Sequence, residues 1–258
     1  MSVEIGLEGR QALVTGAGQG VGLGVATTLA AAGAEVFIND VVADRAAVVA
    51  AEIVAAGGSA HPAPFDVTDY DAVVSALARI GGVDILVNNA GNAGTAGWAG
   101  LARLVDTEPS DWDAYLRVNL YGVMYCVRAA LPAMIERGWG RVITIVSDAA
   151  RVGESHMAAY CAAKAGAAGF SRGVALEVGR HGITVNNIAL GTMRTPVSAA
   201  LWDDPDNPQA RAIMQHYVVR RPGEPEDVAG LALYLASPMA SWITGQTYPV
   251  NGGFSFSQ

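Results

Sequence analysis

Cysteine, lysine and charged residues in general are scarce in this chain of 258 residues. Only two cysteines occur, Cys126 and Cys161, and both lie in apolar runs with helix-like spacing. We interpret them as small buried hydrophobic residues, and no disulfide framework is expected. The four histidines have no paired ligand spacing with one another or with the cysteines, so the sequence predicts no bound metal.

Charged residues make up only 16% of the chain, whereas hydrophobic residues make up 52%. This composition predicts a large buried core and excludes intrinsic disorder and a coiled coil. Acidic residues outnumber basic residues by 24 to 16, which leaves a formal net charge of −8. A nucleic-acid partner is not expected, since phosphate binding requires a basic surface.

The first ten residues carry two acidic side chains and lack the apolar core of a secretory signal. Cytoplasmic residence is therefore the expectation. Residues 11–34 contain no charge, but six of them are glycine, which argues against a membrane span. No membrane partner is expected.

Short apolar runs rich in β-branched residues alternate with alanine-rich stretches of helical spacing. Most of these runs are apolar throughout, as in a parallel sheet covered by helices on both faces. The sequence predicts one α/β domain over residues 1–258, with a doubly wound seven-stranded parallel sheet. The predicted strands are Gln11–Thr15, Glu35–Asn39, Ala60–Phe65, Asp84–Asn88, Arg141–Ser147, Ile183–Leu190 and Thr247–Val250. A helix is predicted over Asp111–Ile135, with Pro132 kinking its end.

A glycine-rich turn runs from Thr15 to Gly22 after the first predicted strand, and an apolar helix begins near Leu23. Glycines let the backbone approach a pyrophosphate, which amides at the helix N-terminus would hold. The spacing is Gly-x-x-x-Gly-x-Gly, so the G-x-G-x-x-G fingerprint is absent, and the lack of a Lys-Ser/Thr pair excludes a P-loop. The pattern favours a dinucleotide site, and a merely flexible loop is the alternative.

Acidic residues close two of the predicted strands. Asp40 lies 18 residues after Gly22, close to the spacing of about 20 for a carboxylate that binds the adenosine ribose hydroxyls. It would repel a 2′-phosphate, so the sequence predicts NAD rather than NADP. Four neighbouring positions carry no cation, namely Gln19, Asn39, Val41 and Val42. Asp66 closes the third predicted strand and is expected near the adenine, with an ordinary acidic strand end as the alternative for both carboxylates.

The chain has fifteen arginines but a single lysine, Lys164, which lies four residues after Tyr160. In a helix these side chains share a face, so the ammonium can stabilise a phenolate. Lowering the pKa of the phenol from about 10 toward 7 requires about 4 kcal/mol, which Lys164 and a cationic oxidised nicotinamide could supply together. Tyr160 would then act as acid/base, and Ser147, which ends the fifth predicted strand, would orient a substrate oxygen.

With these residues in view, the chain resembles the short-chain dehydrogenase/reductase family over nearly its whole length. The family's Thr-Gly-x-x-x-Gly-x-Gly matches the turn from Thr15 to Gly22, and its Asn-Asn-Ala-Gly matches Asn88–Gly91. Its Tyr-x-x-x-Lys matches Tyr160 and Lys164. The resemblance implies a Rossmann fold, reversible hydride transfer with a nicotinamide cofactor, and a homotetramer.

Two further sites have roles only through this resemblance. Asn119 matches the family's remaining catalytic asparagine, which implies a helix irregularity that holds a proton-relay water. The family's Pro-Gly-x-x-x-Thr segment contacts the nicotinamide, and here it reads Leu190 to Thr195 with leucine in place of proline. Proline would fix φ and remove a donor, so leucine predicts a looser loop and an altered cofactor affinity.

Motifs and strand ends together define the candidate site. The candidate catalytic residues are Asn119, Ser147, Tyr160 and Lys164. The candidate cofactor contacts are Gly16, Gln19, Gly20, Val21, Gly22, Asp40, Asp66, Val67, Asn89, Ala90, Gly91, Tyr160, Lys164, Gly191, Thr192 and Thr195.

Residues that line the substrate site are the least determined by the sequence, since they lie in loops. The candidates are Trp98, Asp148, Arg151, His156, Met193 and Trp202, with a flap at about residues 191–222. They suggest an apolar or acyl substrate, and residues 147–153 resemble family members that act on alicyclic hydroxyacyl thioesters of coenzyme A. The sequence predicts NAD-dependent oxidation of a secondary alcohol. An NADPH-dependent 3-oxoacyl-thioester reductase and a non-catalytic cofactor sensor or scaffold are the alternatives.

Overall fold

The computed structural model describes residues 5–91, 101–204 and 206–256 of the chain. Its strands are β1 Gln11–Val14, β2 Glu35–Ile38, β3 Ser59–Pro62, β4 Ile85–Asn88, β5 Gly140–Ser147, β6 Ile183–Leu190 and β7 Thr247–Val250. They form one sheet in the order β3-β2-β1-β4-β5-β6-β7, and every neighbouring pair is parallel. The predicted seven-stranded parallel sheet is confirmed.

The third strand departs furthest from its prediction, because β3 ends at Pro62 and not at Phe65. The Ala63 N–H still donates to the Ile38 carbonyl at 2.8 Å. The carbonyls of Ala63 and Phe65, however, accept from the side-chain amide of Asn39 at 3.1 and 3.0 Å. These two bonds satisfy backbone groups that a longer strand would have paired, so the chain leaves the sheet there.

Helices cover both faces of the sheet, as the prediction of a doubly wound fold requires. They are α1 Gly20–Ala31, α2 Ala43–Ala55, α3 Tyr70–Ile80, α4 Pro109–Leu116, α5 Gly122–Arg137, α6 Ala149–Val152, α7 Ala158–Val178, α8 Ala199–Trp202, α9 Pro208–Met214 and α10 Pro225–Ala236. Short 3₁₀ turns lie at Leu104–Asp106, Gly179–His181 and Pro238–Ala240. Helices α1, α2 and α10 pack on one face of the sheet, and α3, α5 and α7 pack on the other.

The helix predicted over Asp111–Ile135 is two elements joined by a π-helical turn. It runs through α4, the π turn Arg117–Tyr121 and α5, so it extends from Pro109 to Arg137. Pro132 lies inside α5 and does not end it. By length and composition alone this segment could cross a membrane, a test that the core helix of a soluble protein also passes.

The strand order determines where a ligand can bind. Because β1 lies between β2 and β4, the connections that follow β1 and β4 diverge and open a crevice at their carboxyl ends. The glycine turn follows β1 at this edge, and Ser147 ends β5 there. The chain thereby brings its predicted motifs to one edge of the sheet.

Candidate active site

The glycine turn approaches its neighbours so closely that side chains would not fit. Gly16 and Gly20 have φ of +61° and +59°, a left-handed backbone that glycine adopts without strain. A Cβ on Gly16 would lie 2.8 Å from Cα of Ala90, and one on Gly18 would collide with the Asp40 carboxylate. The turn therefore presents a backbone surface with no side chain at Gly16 or Gly18.

Helix α1 begins directly at this surface. The side chain of Gln19 does not cap the helix, and the first turn carries no acidic residue. The N-terminal amides, including that of Val21, therefore remain open to an anion, and the macrodipole favours one. These features fit a dinucleotide pyrophosphate.

The segment after β4 holds the glycine turn in place. The amides of Asn89 and Ala90 both donate to Thr15 Oγ1 at 3.0 Å. The Asn89 side-chain amide donates to the carbonyls of Thr15 and Gly16 at 3.0 and 2.9 Å. A Cβ on Gly22 would collide with that same amide. The Asn-Asn-Ala-Gly motif thus acts mainly by shaping the glycine turn.

Asp40 is buried at the end of β2, beside the glycine turn. Its Oδ1 accepts from the Val42 amide at 2.9 Å and lies 4.0 Å from Nη1 of Arg45. Sequence reasoning missed Arg45, because it examined only the positions next to Asp40 and the glycine turn. The first turn of α2 brings Arg45 back, and its position three residues after Val42 is the signal that could have revealed it.

Asp66 and Val67 differ in exposure. Asp66 is exposed, and its Oδ1 accepts from the Thr68 amide at 2.8 Å, so it caps its own turn. Val67 is buried against Gly122, where an added Cβ would lie 2.9 Å from the Val67 side chain. Asp66 therefore has an exposed carboxylate, whereas Val67 packs against α5.

Three elements bring the candidate catalytic residues together. Ser147 ends β5, while Tyr160 and Lys164 lie on α7. Tyr160 and Ser147 share a hydrogen bond, and Nζ of Lys164 lies 5.9 Å from the centre of the Tyr160 ring. Lys164 is buried, and its ammonium donates to the Ile145 carbonyl at 2.9 Å. The acid/base pair is thus held against β5, an interior strand of the sheet.

Asn119 completes this group from the π turn between α4 and α5. It is fully buried, and its side-chain amide donates to the Tyr115 carbonyl at 3.0 Å. A Cβ on Gly91 would lie 2.9 Å from Asn119 Oδ1 and 3.2 Å from Lys164 Nζ, so both polar groups reach the end of the β4 segment. The π turn is the helix irregularity that the resemblance implies.

Burial perturbs both members of the acid/base pair. It lowers the pKa of Lys164 from 10.5 to about 8. Burial raises the pKa of Tyr160 above its usual 10, and the hydrogen bond with Ser147 opposes that shift. Sequence reasoning predicted a lowered phenol pKa from Lys164 together with a cationic nicotinamide. The chain's own residues give the opposite direction, because desolvation of the phenolate outweighs the hydrogen bond with Ser147.

Residues Leu190 to Thr195, here called the cofactor loop, begin at the last residue of β6. A Cβ on Gly20 would lie 3.3 Å from Cγ2 of Thr195, so this loop reaches across to the glycine turn. The amide of Gly191 donates to the Val250 carbonyl at 3.1 Å. The polar groups of Thr192, by contrast, are engaged by Tyr217 and not presented to the crevice.

Two predicted substrate residues have another role in the structure. Asp148 is buried, and its carboxylate accepts from Arg151 at 2.6 Å and from Asn251 and Ser255 at 2.7 Å each. Arg151 also donates to Ser255 Oγ at 3.1 Å. This network, the Asp148 cluster, ties the C-terminal segment to the residue after Ser147. The guanidinium of Arg151 is therefore engaged and does not offer an anion site.

The other substrate candidates are separately placed. His156 is exposed, with an unusual φ of +66°, in the loop before α7. Met193 pairs with Gly223 as an isolated bridge, and Trp202 ends α8 with a buried indole N–H that has no acceptor among the described residues. Trp98 lies outside the described residues. Within the described ranges, no cluster of three or more His, Cys, Asp or Glu residues could hold a metal.

The chain is similar in sequence to known proteins over nearly its whole length. The family model described as "Enoyl-(Acyl carrier protein) reductase" matches residues 16–255. The chain is 39% identical to a 3-oxoacyl-[acyl-carrier-protein] reductase of Synechocystis, covering 96% of this chain and 97% of that protein. It is 36% identical to the 7alpha-hydroxysteroid dehydrogenase of Escherichia coli K12, covering 96% and 94%.

Solved structures of oxidoreductases superpose closely on this chain. A gluconate 5-dehydrogenase from Burkholderia cenocepacia, in complex with NADP and tartrate, superposes with a TM-score of 0.88 at 36% identity, covering 97% of each chain. A 3-oxoacyl-[acyl-carrier protein] reductase from Brucella melitensis with bound NAD also superposes with a TM-score of 0.88, at 32% identity, covering 97% of this chain and 92% of that one. The chain belongs to the short-chain dehydrogenase/reductase family, whose members are NAD(P)-dependent oxidoreductases.

Proposed function

We propose that this protein is an NAD-dependent dehydrogenase that oxidises a secondary alcohol to the ketone. The observation that carries the proposal is the meeting of Ser147, Tyr160 and Lys164 beside a glycine turn that fits a pyrophosphate. A protein that only bound the dinucleotide would not need an acid/base tyrosine buried against a lysine, which counts against a sensor or scaffold.

Each catalytic side chain has a defined task in this mechanism. Ser147 donates a hydrogen bond to the substrate oxygen, and Tyr160 takes the hydroxyl proton at its phenolic oxygen. The dinucleotide, when bound, supplies the hydride acceptor. Lys164 uses one donor on the Ile145 carbonyl, and its remaining N–H groups hold the ribose hydroxyls and favour the phenolate. Asn119 links this pair to solvent through a proton relay.

Asp40 supports NAD over NADP. Its carboxylate lies against Gly18, where the ribose hydroxyls of the adenosine would meet it, and it would repel a 2′-phosphate. Arg45, half-exposed and 4.0 Å from Asp40, opposes this choice because a guanidinium attracts phosphate. We therefore propose a preference for NAD that is incomplete.

Fluorescence titration of the protein with NADH and with NADPH tests the cofactor assignment. We expect tighter binding of NADH. Asp40→Ser should reduce the ratio of the two affinities by about tenfold, since it removes a charged acceptor of the ribose hydroxyls. The matched variant Arg45→Gln should raise the ratio. Tighter binding of NADPH by the unaltered protein would contradict the assignment.

The second candidate is an NADPH-dependent 3-oxoacyl-thioester reductase. The 39% identical reductase of Synechocystis and the presence of Arg45 favour it. A panel of secondary alcohols and 3-hydroxyacyl thioesters, assayed with NAD and with NADP, separates the two candidates. Turnover of alcohols with NAD supports the dehydrogenase, whereas reduction of oxoacyl thioesters with NADPH alone supports the reductase.

We also propose a cytoplasmic homotetramer that binds neither nucleic acid nor membrane. Large apolar side chains on the surface support the assembly, above all Leu176 of α7 at 90% exposure and Trp242 at 98%. Tyr121, in the π turn before α5, is also exposed. Light scattering after gel filtration should give four times the 26.5 kDa of one chain. Leu176→Glu and Trp242→Glu should each lower that mass.

A further inference from the structure

The cofactor loop begins with Leu190, at the position where the family has proline. A proline would limit φ at the start of the loop, and leucine does not. The loop nevertheless reaches the glycine turn at Gly20 through Thr195. Leu190 itself is held in β6, between β5 and β7, so the residues beyond it need another restraint.

Tyr217 makes the contacts that restrain the cofactor loop. The residue is only 5% exposed and lies after α9, at the far end of the flap. Its hydroxyl accepts a hydrogen bond from the Thr192 amide at 2.7 Å and donates one to Thr192 Oγ1 at 2.8 Å. One side chain thus satisfies both the backbone donor and the side-chain oxygen of the same loop residue.

The ring of Tyr217 is itself fixed by close packing. A Cβ on Gly191 would lie 3.1 Å from its Cε1, and a Cβ on Gly252 would lie 3.1 Å from its Cδ1. The Phe254 ring packs against it with centres 5.2 Å apart. Two glycines therefore make room for this ring, one in the cofactor loop and one in the C-terminal segment.

Gly223 makes two further backbone hydrogen bonds with the loop. The Gly223 amide donates to the Thr192 carbonyl at 3.0 Å, and the Arg194 amide donates to the Gly223 carbonyl at 2.7 Å. The loop borders a cavity of about 220 Å³, lined by Gly191, Thr192, Met193, Tyr217 and the C-terminal segment among others. Packing does not fill the space on this side of the loop, so the polar contacts of the loop help to decide where it lies.

We propose that Tyr217 is the positioning residue of the cofactor loop. Its hydroxyl restrains the loop at Thr192, as the family's proline restrains it at position 190 by covalent geometry. Because Tyr217 lies near the end of the flap, it also couples the flap to dinucleotide binding. Arg194 paired with Asp203, and Ser198 bonded to the Met193 carbonyl, anchor the other end of the flap to the same loop. This role rests on the proposed function, since it assumes that the loop contacts a nicotinamide.

Tyr217→Phe tests the proposal, because it removes the hydroxyl and keeps the ring. Hydrogen exchange followed by mass spectrometry on the cofactor-free protein should show faster exchange in the peptide that contains Thr192. Fluorescence titration should show NADH binding about tenfold weaker, as expected for the loss of two buried hydrogen bonds. The matched control Tyr234→Phe removes a hydroxyl from α10 and should leave both readouts unchanged. A purely structural role would lower the melting temperature without these local changes.

Leu190→Pro in the Tyr217→Phe background tests the physical reason. A fixed φ should restore slow exchange at Thr192 and recover most of the NADH affinity. The proposal fails if Tyr217→Phe exchanges and binds like the unaltered protein, or if the folded double variant shows no recovery. Failure of the unaltered protein to bind NADH would instead refute the proposed function, while the exchange experiment would still decide the role of Tyr217 in the loop.

Discussion

Two cations are buried against the same strand, and they are used in opposite ways. Arg141 lies at the start of β5 and is 2% exposed, whereas Lys164 contacts the carbonyl of Ile145 near the end of β5. Arg141 donates to the carbonyls of Ser237, Gly140 and Gly182 at 2.9 to 3.2 Å. Lys164 donates to one carbonyl among the described residues.

The aromatic environment adds to this contrast. The Trp139 ring contacts both Arg141 and Arg10, whose guanidinium carbons are 4.4 and 3.8 Å from its centre. Burial lowers the pKa of Arg141 to about 10, with a contribution from Arg10, so it stays charged at neutral pH. Arg141, which donates to three carbonyls, joins parts of the chain around the start of β5. Lys164 uses one of its three donors on a carbonyl of the described residues, which leaves it able to bind a ligand.

The largest expected effect falls on the functional edge. Tyr160→Phe should lower turnover by about 10³-fold, because it removes the proton acceptor, while NADH affinity should change by less than about threefold. Steady-state assays with the best alcohol of the panel and fluorescence titration measure the two quantities. Tyr115→Phe, whose ring packs edge-on against Tyr160, is the matched control. Full turnover by Tyr160→Phe would remove the basis of the mechanism.

At the opposite edge the expected effect is on stability. Arg141→Met should reduce the free energy of unfolding by about 2–4 kcal/mol, because three carbonyls lose their donor and Trp139 loses a stacked cation. Urea denaturation measures this quantity. Turnover per folded molecule should be unchanged. Unaltered stability would mean that the three carbonyl bonds contribute nothing to the free energy of unfolding, and it would contradict the contrast drawn between Arg141 and Lys164.

Lys164→Met should have the opposite sign on stability. At pH 7 the variant should gain about 1–3 kcal/mol, because an ammonium whose pKa falls from 10.5 to about 8 on folding is costly to bury. Turnover and NADH binding should both be lost. Between pH 8 and 10.5 the unfolded chain binds the proton more tightly than the folded protein, so the unaltered protein gains stability as pH rises. The advantage of the variant should therefore shrink over this window, as urea melts at pH 7, 9 and 10.5 would show.

The smallest expected effect concerns the Asp148 cluster. Ser255→Ala should cost about 1 kcal/mol, since it removes one hydroxyl donor to a buried carboxylate that keeps Arg151 and Asn251. Thermal melting measures the loss. Ser155→Ala, in the exposed loop before α7, is the control. An effect of Ser255→Ala on NADH affinity as large as that of Tyr217→Phe would show that the C-terminal segment, and not the tyrosine hydroxyl, positions the cofactor loop.

Local patterns were sufficient for the strands and for the spacing of the main motifs. The bounds of β6 and β7 were predicted to the residue, because β-branched and aromatic residues recur along both segments. Lys164 and Tyr160 were paired correctly from helical spacing alone. The end of β3 was not predicted, since it depends on the side chain of Asn39 from a neighbouring strand.

Residues close together along the chain were sufficient to predict the α/β architecture, the glycine turn and the tyrosine–lysine pair. The approach of Arg45 to Asp40, the engagement of Arg151 by Asp148 and the bond from Tyr217 to the cofactor loop depend on long-range packing. Burial also decided the direction of the Tyr160 pKa. These properties depend on which side chains lack water and which distant groups replace it, and no local pattern records that.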